Sequence, residues 1–306
     1  MRSRRILHAL LLAALPFASG GCSIKRFALY QVADALAASG TTYAADDDPE
    51  LIESALPFSL KLIESVLADA PDHKELLTAA CKGFTQYAYA FLRQRADELR
   101  ETDLAASRAL RERTKKLYRR ALGYGLRSLA LEYPGIVELL RKDPRAATAK
   151  IRDAHEVETL YWTAASWGLL IADSKDSPDT LGDQQSVEAL IDKALALKPD
   201  FDRGAVHGFL ISYEMIRRTG TGDAATRARH HYEEAVRLSG GKLASVHLAF
   251  AEEVALAKAD KALFVSCCEK ALLVDLDAEP AWRLQNTLAQ RRARWQLARL
   301  DELFDE

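Results

Sequence analysis

Residues 190–210 read LIDKALALKPDFDRGAVHGFL: an alanine- and leucine-rich helical pattern, a proline, a short polar turn and a second helical pattern. The same order recurs in LIESVLADAPDHKELLTAACKGF (62–84), HYEEAVRLSGGKLASVHLAF (231–250) and SCCEKALLVDLDAEPAWRLQN (266–286). With Val66, Ala194, Ala235 and Ala271 superposed, Pro71, Pro199 and Gly240 fall five residues on, and Leu276 is the exception. Proline and glycine end a helix because one cannot donate the next hydrogen bond and the other readily turns left-handed. Short or small side chains recur in the second helix at Cys81, Gly208, Ala249 and Asn286, where they would let helices approach closely.

This internal repetition resembles the tetratricopeptide pattern of paired helices. The intervals from 194 to 235 and from 235 to 271 are 41 and 36 residues, against about 34 in regular arrays, so the repeats are degenerate. The rest of the chain agrees. Prolines are few and no window alternates as a strand does. Breakers such as DDDPE, EYPG, KDP, RTGTGD and LSGG divide it into about a dozen helices, most of them 14–25 residues long. The polar stretch Ala172–Asp183 reads as a surface loop. The expected fold class is all-α: an α-solenoid-like array of degenerate tetratricopeptide-like hairpins in one domain, 22–306.

Residues 1–21 read as a lipoprotein signal peptide: Arg2, Arg4 and Arg5, then the apolar run Ile6–Leu15, then small residues leading to Cys22 in FASGGCSIK. Cys22 is the expected lipidation site, although Ser19 stands where lipoprotein signals usually carry leucine. Ser23 fits lipoproteins of the outer membrane. About 285 residues remain after cleavage, enough for a large core, and the net charge moves to about −5. No basic excess suggests nucleic acid. Cys81, Cys267 and Cys268 sit among apolar neighbours with no metal-ligand spacing, as buried free thiols do.

LYWTAASWG (160–168) places Trp162 and Trp167 about 140° apart around a helix. Leu160, Ala164, Trp167 and Ile171 form one stripe, and Trp162, Ser166 and Leu169 another. In a helical array both stripes can be core, or one indole can line a groove. His207, His230, His231 and His247 lack any ligand motif, and no nucleophile elbow, phosphate loop or defensible Cys–His dyad is present. Neither a metal, a cofactor nor an enzyme is expected. The end, QRRARWQLARLDELFDE, reads as a solvated basic face or as an interface in which Arg291 or Arg292 pairs with carboxylates; Asn286 and Gln290 share a face and could join it.

LYWTAASWGLLI, RGAVHGFLISYE, ARHHYEEAVRLSGG and RLQNTLAQRRARWQLARLDELF follow the lipobox in that order. Together they resemble the TatT (T-component) family of periplasmic lipoproteins associated with TRAP transporters, over nearly the whole mature chain. The resemblance implies a homotrimer that interacts with the transporter's periplasmic solute-binding protein, with a pore or cleft for a small organic ligand, hydrophobic or otherwise. By position it points to Tyr161, Trp162, Trp167, His207, Asn286, Gln290, Arg291 and Arg292 as the ligand or partner surface. Gln285 departs from the pattern, where a smaller residue is expected. The other reading is a general tetratricopeptide scaffold lipoprotein in an outer-membrane assembly or export complex.

Overall fold

A computed structural model describes residues 20–174, 182–217 and 219–304, with side chains from residue 28 on. The expected leader therefore lies largely outside the described residues, and of Cys22 only the backbone is described. Every regular element among them is helical and none is a strand. The chain is all-α.

In order, the helices are α1 (Gly20–Ala38), α2 (Gly40–Ala44), α3 (Pro49–Asp69) and α4 (Lys74–Tyr87). A π-helical segment (Ala88–Arg93) carries α4 into α5 (Gln94–Glu98). Next come α6 (Leu104–Glu132), α7 (Ile136–Lys142), α8 (Pro144–Ala149), α9 (Val157–Ala172), α10 (Gln184–Leu197), α11 (Ala205–Glu214) and α12 (Ala224–Ser239). Helix α13 (Ala244–Phe250) runs into a second π-helical segment (Ala251–Ala255), followed by α14 (Lys261–Leu272), α15 (Arg283–Leu297) and α16 (Leu300–Phe304).

The sequence breakers act as caps. Asp48 accepts from the Leu51 N–H at 2.9 Å ahead of Pro49, and Asp103, Asp143, Asp223 and Asp260 cap α6, α8, α12 and α14 in the same way. Gly240, at φ 62°, closes α12 in the left-handed region. Each of the four repeated stretches is a helix, a turn and a helix. The most extensive packing, however, is not within them: α4 against α6, α9 against both α10 and α6, and α11 against α12, followed by α13 against α14. The turn at Pro199 is thus a joint between one packed pair, α9–α10, and the next, α11–α12.

Three helices, α4, α6 and α9, share a seam of small polar residues. Thr78 Oγ1 lies 3.0 Å from both Ser128 Oγ and Thr159 Oγ1, and the Thr163 hydroxyl donates to the Thr159 carbonyl at 2.6 Å. Gly125 sits directly opposite: a Cβ there would stand 2.4 Å from Thr163 Oγ1 and 3.0 Å from Cys81 Sγ. The close approach foreseen at Gly208 is not found, because a Cβ on Gly208 would meet nothing within 4 Å. The tight contact is made by Gly125, outside the repeat positions.

The main apolar cluster gathers α6 to α11 around Trp167 and Tyr118; a second gathers α12 to α15 around Phe250 and Phe264. The N-terminal helices supply two smaller clusters. Helix α15 returns to the beginning of the chain, where Arg283 donates to the Ala45 carbonyl at 3.2 Å. Cys81, Cys267 and Cys268 are buried free thiols.

Two glycine substitutions separate seam from surface. Gly125→Ala should destabilise the protein by about 1–3 kcal/mol, because Thr163 is held by its own hydrogen bond and cannot yield cheaply. Gly208→Ala should be neutral or stabilising by up to about 1 kcal/mol, as expected for a helical glycine with free space around it. Urea unfolding of both variants checks the opposite signs.

Candidate functional site

Helix α9 shows its two stripes to different surroundings. Leu160, Ala164, Trp167 and Ile171 are buried, with Trp167 only 2% exposed and its Nε1–H donating to Asp183 Oδ2 at 3.1 Å. Trp162 is half-buried. It meets Tyr161 edge to face at 4.9 Å between ring centroids, and the Lys82 ammonium stands 5.8 Å from its ring. Tyr161 in turn contacts Phe201 at 5.7 Å and Phe209 at 6.5 Å, and Phe209 stacks on Tyr213 at 5.5 Å. Gly168 leaves room for the Phe209 ring, since a Cβ would stand 3.3 Å from Phe209 Cζ. Trp162, Tyr161, Phe201 and Phe209 form a partly exposed aromatic ledge. A cation beside an indole and large apolar faces open to solvent suit a ligand with both apolar and anionic parts.

Helix α15 divides its four candidate residues between two tasks. Asn286 and Gln290 are buried and committed to backbone. Asn286 accepts from the Ala244 N–H and donates to the Lys242 carbonyl, both at 2.9 Å, which fixes the turn from α12 into α13. Gln290 Nε2 donates to the carbonyls of Ala271, Leu272 and Val274, closing the C-terminus of α14. Arg291 makes a two-pronged pair with Glu50 of α3 at an exposed site. Arg292 is more enclosed: its Nε donates to Glu252 at 2.6 Å, its Nη1 to Asp97 at 3.0 Å, and its guanidinium lies 5.6 Å from the Trp295 ring.

Both π-helical segments serve this network. One carries Glu252, and the other carries Tyr89 and Arg93, whose guanidinium lies 5.8 Å from the Tyr89 ring. A π turn inserts an extra residue and re-aims the side chains beyond it. Tyr89 is 51% exposed. Burial first, then Glu252, raises its hydroxyl above the usual tyrosine range, while Arg292 and Arg93 oppose this. Sequence patterns single out none of Lys82, Tyr89, Asp97, Phe201, Phe209 or Glu252. LYWTAASWG does identify the ledge's central pair.

His207 belongs elsewhere, on the packed pair α11–α12. Its Nδ1 lies 2.9 Å from His231 Nδ1, so one ring donates to the other, and the His230 ring lies tilted to that of His231, 5.4 Å away. His247 is separate, with its Nδ1 bonded to the Tyr232 hydroxyl at 2.9 Å. Among the described residues one group, Asp34, His73 and Glu75, has metal-compatible spacing. It is accounted for without an ion: His73 Nδ1 accepts from the Leu76 N–H at 3.2 Å as a helix cap, leaving Nε2 to face Asp34 at 3.1 Å.

The buried imidazoles make stability pH-dependent. Burial first, then the neighbouring His207, His230, Arg217 and Arg227, bring His231 down to about 4; burial and Lys270 do the same for His247. His207 is lowered as well, by burial. The unfolded chain therefore takes up protons before the folded one does, and stability falls as the pH drops from 6.5 towards 4. Fully developed, the His231 and His247 shifts are each worth about 3 kcal/mol. Urea midpoints should decline between pH 7 and 5, above the range where carboxylates titrate, and His247→Asn should remove part of the slope. A flat profile would show these imidazoles to be hydrated.

No helix among the described residues is long and apolar enough to cross a membrane. An uncharacterized protein of Treponema pallidum (strain Nichols) is 27% identical over 304 residues, covering 93% of each chain. Residues 45–304 match the family model described as TRAP transporter T-component. That match begins at the turn before α3 and ends with α16, so it takes in the ledge, the arginine network and the histidine pair together. The chain belongs to the TRAP transporter T-component (TatT) family.

Proposed function

We propose that this chain is a non-enzymatic periplasmic lipoprotein, held at the outer membrane through Cys22, that assembles as a homotrimer. In this reading it serves a TRAP-type uptake system by docking the solute-binding protein and holding or passing a small organic ligand. The observation that carries the ligand-holding role is the ledge of Trp162, Tyr161, Phe201 and Phe209. These large apolar side chains are left partly exposed beside Lys82 while Trp167, five residues away on the same helix, is sealed in the core. Aromatic surface open to solvent and rimmed by charge is typical of binding sites. The family supplies the transport context. The other reading, a scaffold lipoprotein in an outer-membrane assembly or export complex, has no particular contact in its favour.

Affinity purification of the lipidated protein from its own envelope, followed by mass spectrometry, tests the assignment. A periplasmic solute-binding protein should be the dominant partner; an assembly or export machine in its place refutes the transport role. Trp162→Ala should weaken capture of partner or ligand while costing no more than about 2 kcal/mol of stability, because the indole is half-buried. Trp167→Ala should cost about 3–5 kcal/mol. If the two variants melt alike, Trp162 is packing rather than site.

A further inference from the structure

Helix α6 carries eight basic residues against two acidic ones, in a chain whose formal net charge is −2. Its buried side, with Tyr118, Gly125 and Ser128, packs on α4 and α9. Arg108, Arg113, Lys116, Arg119, Arg120 and Arg127 are all exposed. At about 100° per residue they fall within about 140° of one another, on the side away from that packing. Among the described residues, Arg108, Arg113, Lys116 and Arg119 have no ion pair. Carboxylates beside them are already engaged, Glu112 with Lys115, and Glu64 of α3 with Lys61, Tyr124 and Arg120. Unpaired cations spread along one helix face favour an extended anionic partner over a single ion.

The position of α1 indicates what that partner is. Helix α1 begins at Gly20, so helix rather than a slack linker joins Cys22 to the body. The Tyr30 hydroxyl donates to Asp72 at 2.5 Å, and Arg127 donates to the neighbouring Pro71 carbonyl at 3.0 Å. The early part of α1 and the C-terminal end of the basic face thus meet at one turn, between α3 and α4. Cys22 precedes Tyr30 by eight residues, roughly 12 Å of helix. That span is comparable with the Debye length, about 10 Å at 0.1 M ionic strength. A lipid on Cys22 would therefore hold the body where the surface charge of a bilayer is felt. Asp69 and Asp72 make the turn itself less positive, so the attraction centres on the stretch from Arg113 to Arg120.

We propose, on the reading that Cys22 is lipidated, that this face of α6 rests on the anionic phospholipid surface in which the lipid is anchored. The acyl chains supply the attachment, while the lysine and arginine head groups meet lipid phosphates and set the tilt of the body. Helix α9 packs on the other side of α6, so it and the aromatic ledge it carries are held on the side away from the bilayer.

A fluorophore on the full lipidated chain reports the contact. Gly123 lies within the face, exposed, and a Cβ there meets nothing within 4 Å, so Gly123→Cys can be labelled while Cys81, Cys267 and Cys268 stay buried. The labelled protein is reconstituted into vesicles of phosphatidylcholine alone, or with about one-quarter phosphatidylglycerol, each holding a head-group spin-labelled lipid as quencher. Quenching should be about twofold or more stronger with phosphatidylglycerol. It should fall to the neutral-vesicle level at about 1 M salt, where the Debye length is about 3 Å. Arg108→Glu, Lys116→Glu and Arg119→Glu together, with the fold checked by circular dichroism, should remove the phosphatidylglycerol effect. Arg108→Lys with Arg119→Lys should keep it, because a bilayer reads charge and not the guanidinium fork. Equal quenching in both vesicle types overturns the proposal. So does a charge reversal that spares the quenching and abolishes capture of the solute-binding protein, which would assign the face to a protein partner. Flotation with neutral vesicles tests the anchor separately: a chain without lipid stays behind. Flotation of such a chain with anionic vesicles, lost on charge reversal, would still uphold the face, and its absence would refute it.

Discussion

The contact on which the arrangement depends is the approach of α6 to α9 at Gly125. With Thr163 Oγ1 where a Cβ would otherwise reach, these two helices and α4 share a seam of hydroxyls, namely Thr78, Ser128, Thr159 and Thr163. A purely aliphatic seam would tolerate sliding. Buried hydroxyls do not, because displacement by one residue rotates a helix by about 100° and parts Thr78 from Ser128 and Thr159. The register of α9 is fixed in this way. That register puts Trp167 in the main core and Trp162 at its edge. The ledge therefore follows from interactions made elsewhere around the same helix.

Much of this was legible in the chain. The proline and glycine breakers mark the turns, the aspartates before them cap the following helices, and the stripe Leu160, Ala164, Trp167 and Ile171 is buried as its spacing requires. Local rules suffice for such features because their causes lie within a few residues. The ledge's other half was not legible: Phe201 follows α10 and Phe209 lies on α11, and only the packing of α9–α10 against α11–α12 brings them to Tyr161. Gly208 misled for the complementary reason. Its spacing matches a repeat position, but the repeats are too irregular for every such position to face a neighbour.

Asn286 and Gln290 illustrate a different limit. On one face, four residues apart and next to two arginines, they read as part of a polar surface network. They are instead spent on the backbone: one bridges the turn into α13, and the other satisfies three carbonyls at the end of α14. A long amide side chain is suited to either use, since it carries donors and an acceptor on a flexible stem. Which use prevails depends on whether a helix end lies within reach, and sequence does not give that distance. In α15 the amides hold the last helices together, so the helix has a firm side from which Arg291 and Arg292 project.

Those two arginines, adjacent in sequence, are unequal in energy. Arg291 and Glu50 face solvent, where an ion pair contributes about 0–1 kcal/mol. Arg292 is mostly enclosed, and Glu252 together with Asp97 offsets the cost of removing its charge from water. Asp97 also holds Arg111, which holds Asp173, which faces Arg93. Alternating charges thus run from the second π-helical segment through α15, α5 and α6 to the end of α9. Asp97 and Asp173 are each shared by two guanidinium groups, so a change at one end is felt as a change in partner availability at the next. Weakening the contact of Arg93 with Asp173 would leave that carboxylate more fully to Arg111, loosen Arg111 from Asp97 and return Asp97 to Arg292. The end of α9 and helix α15 are in this sense one electrostatic unit.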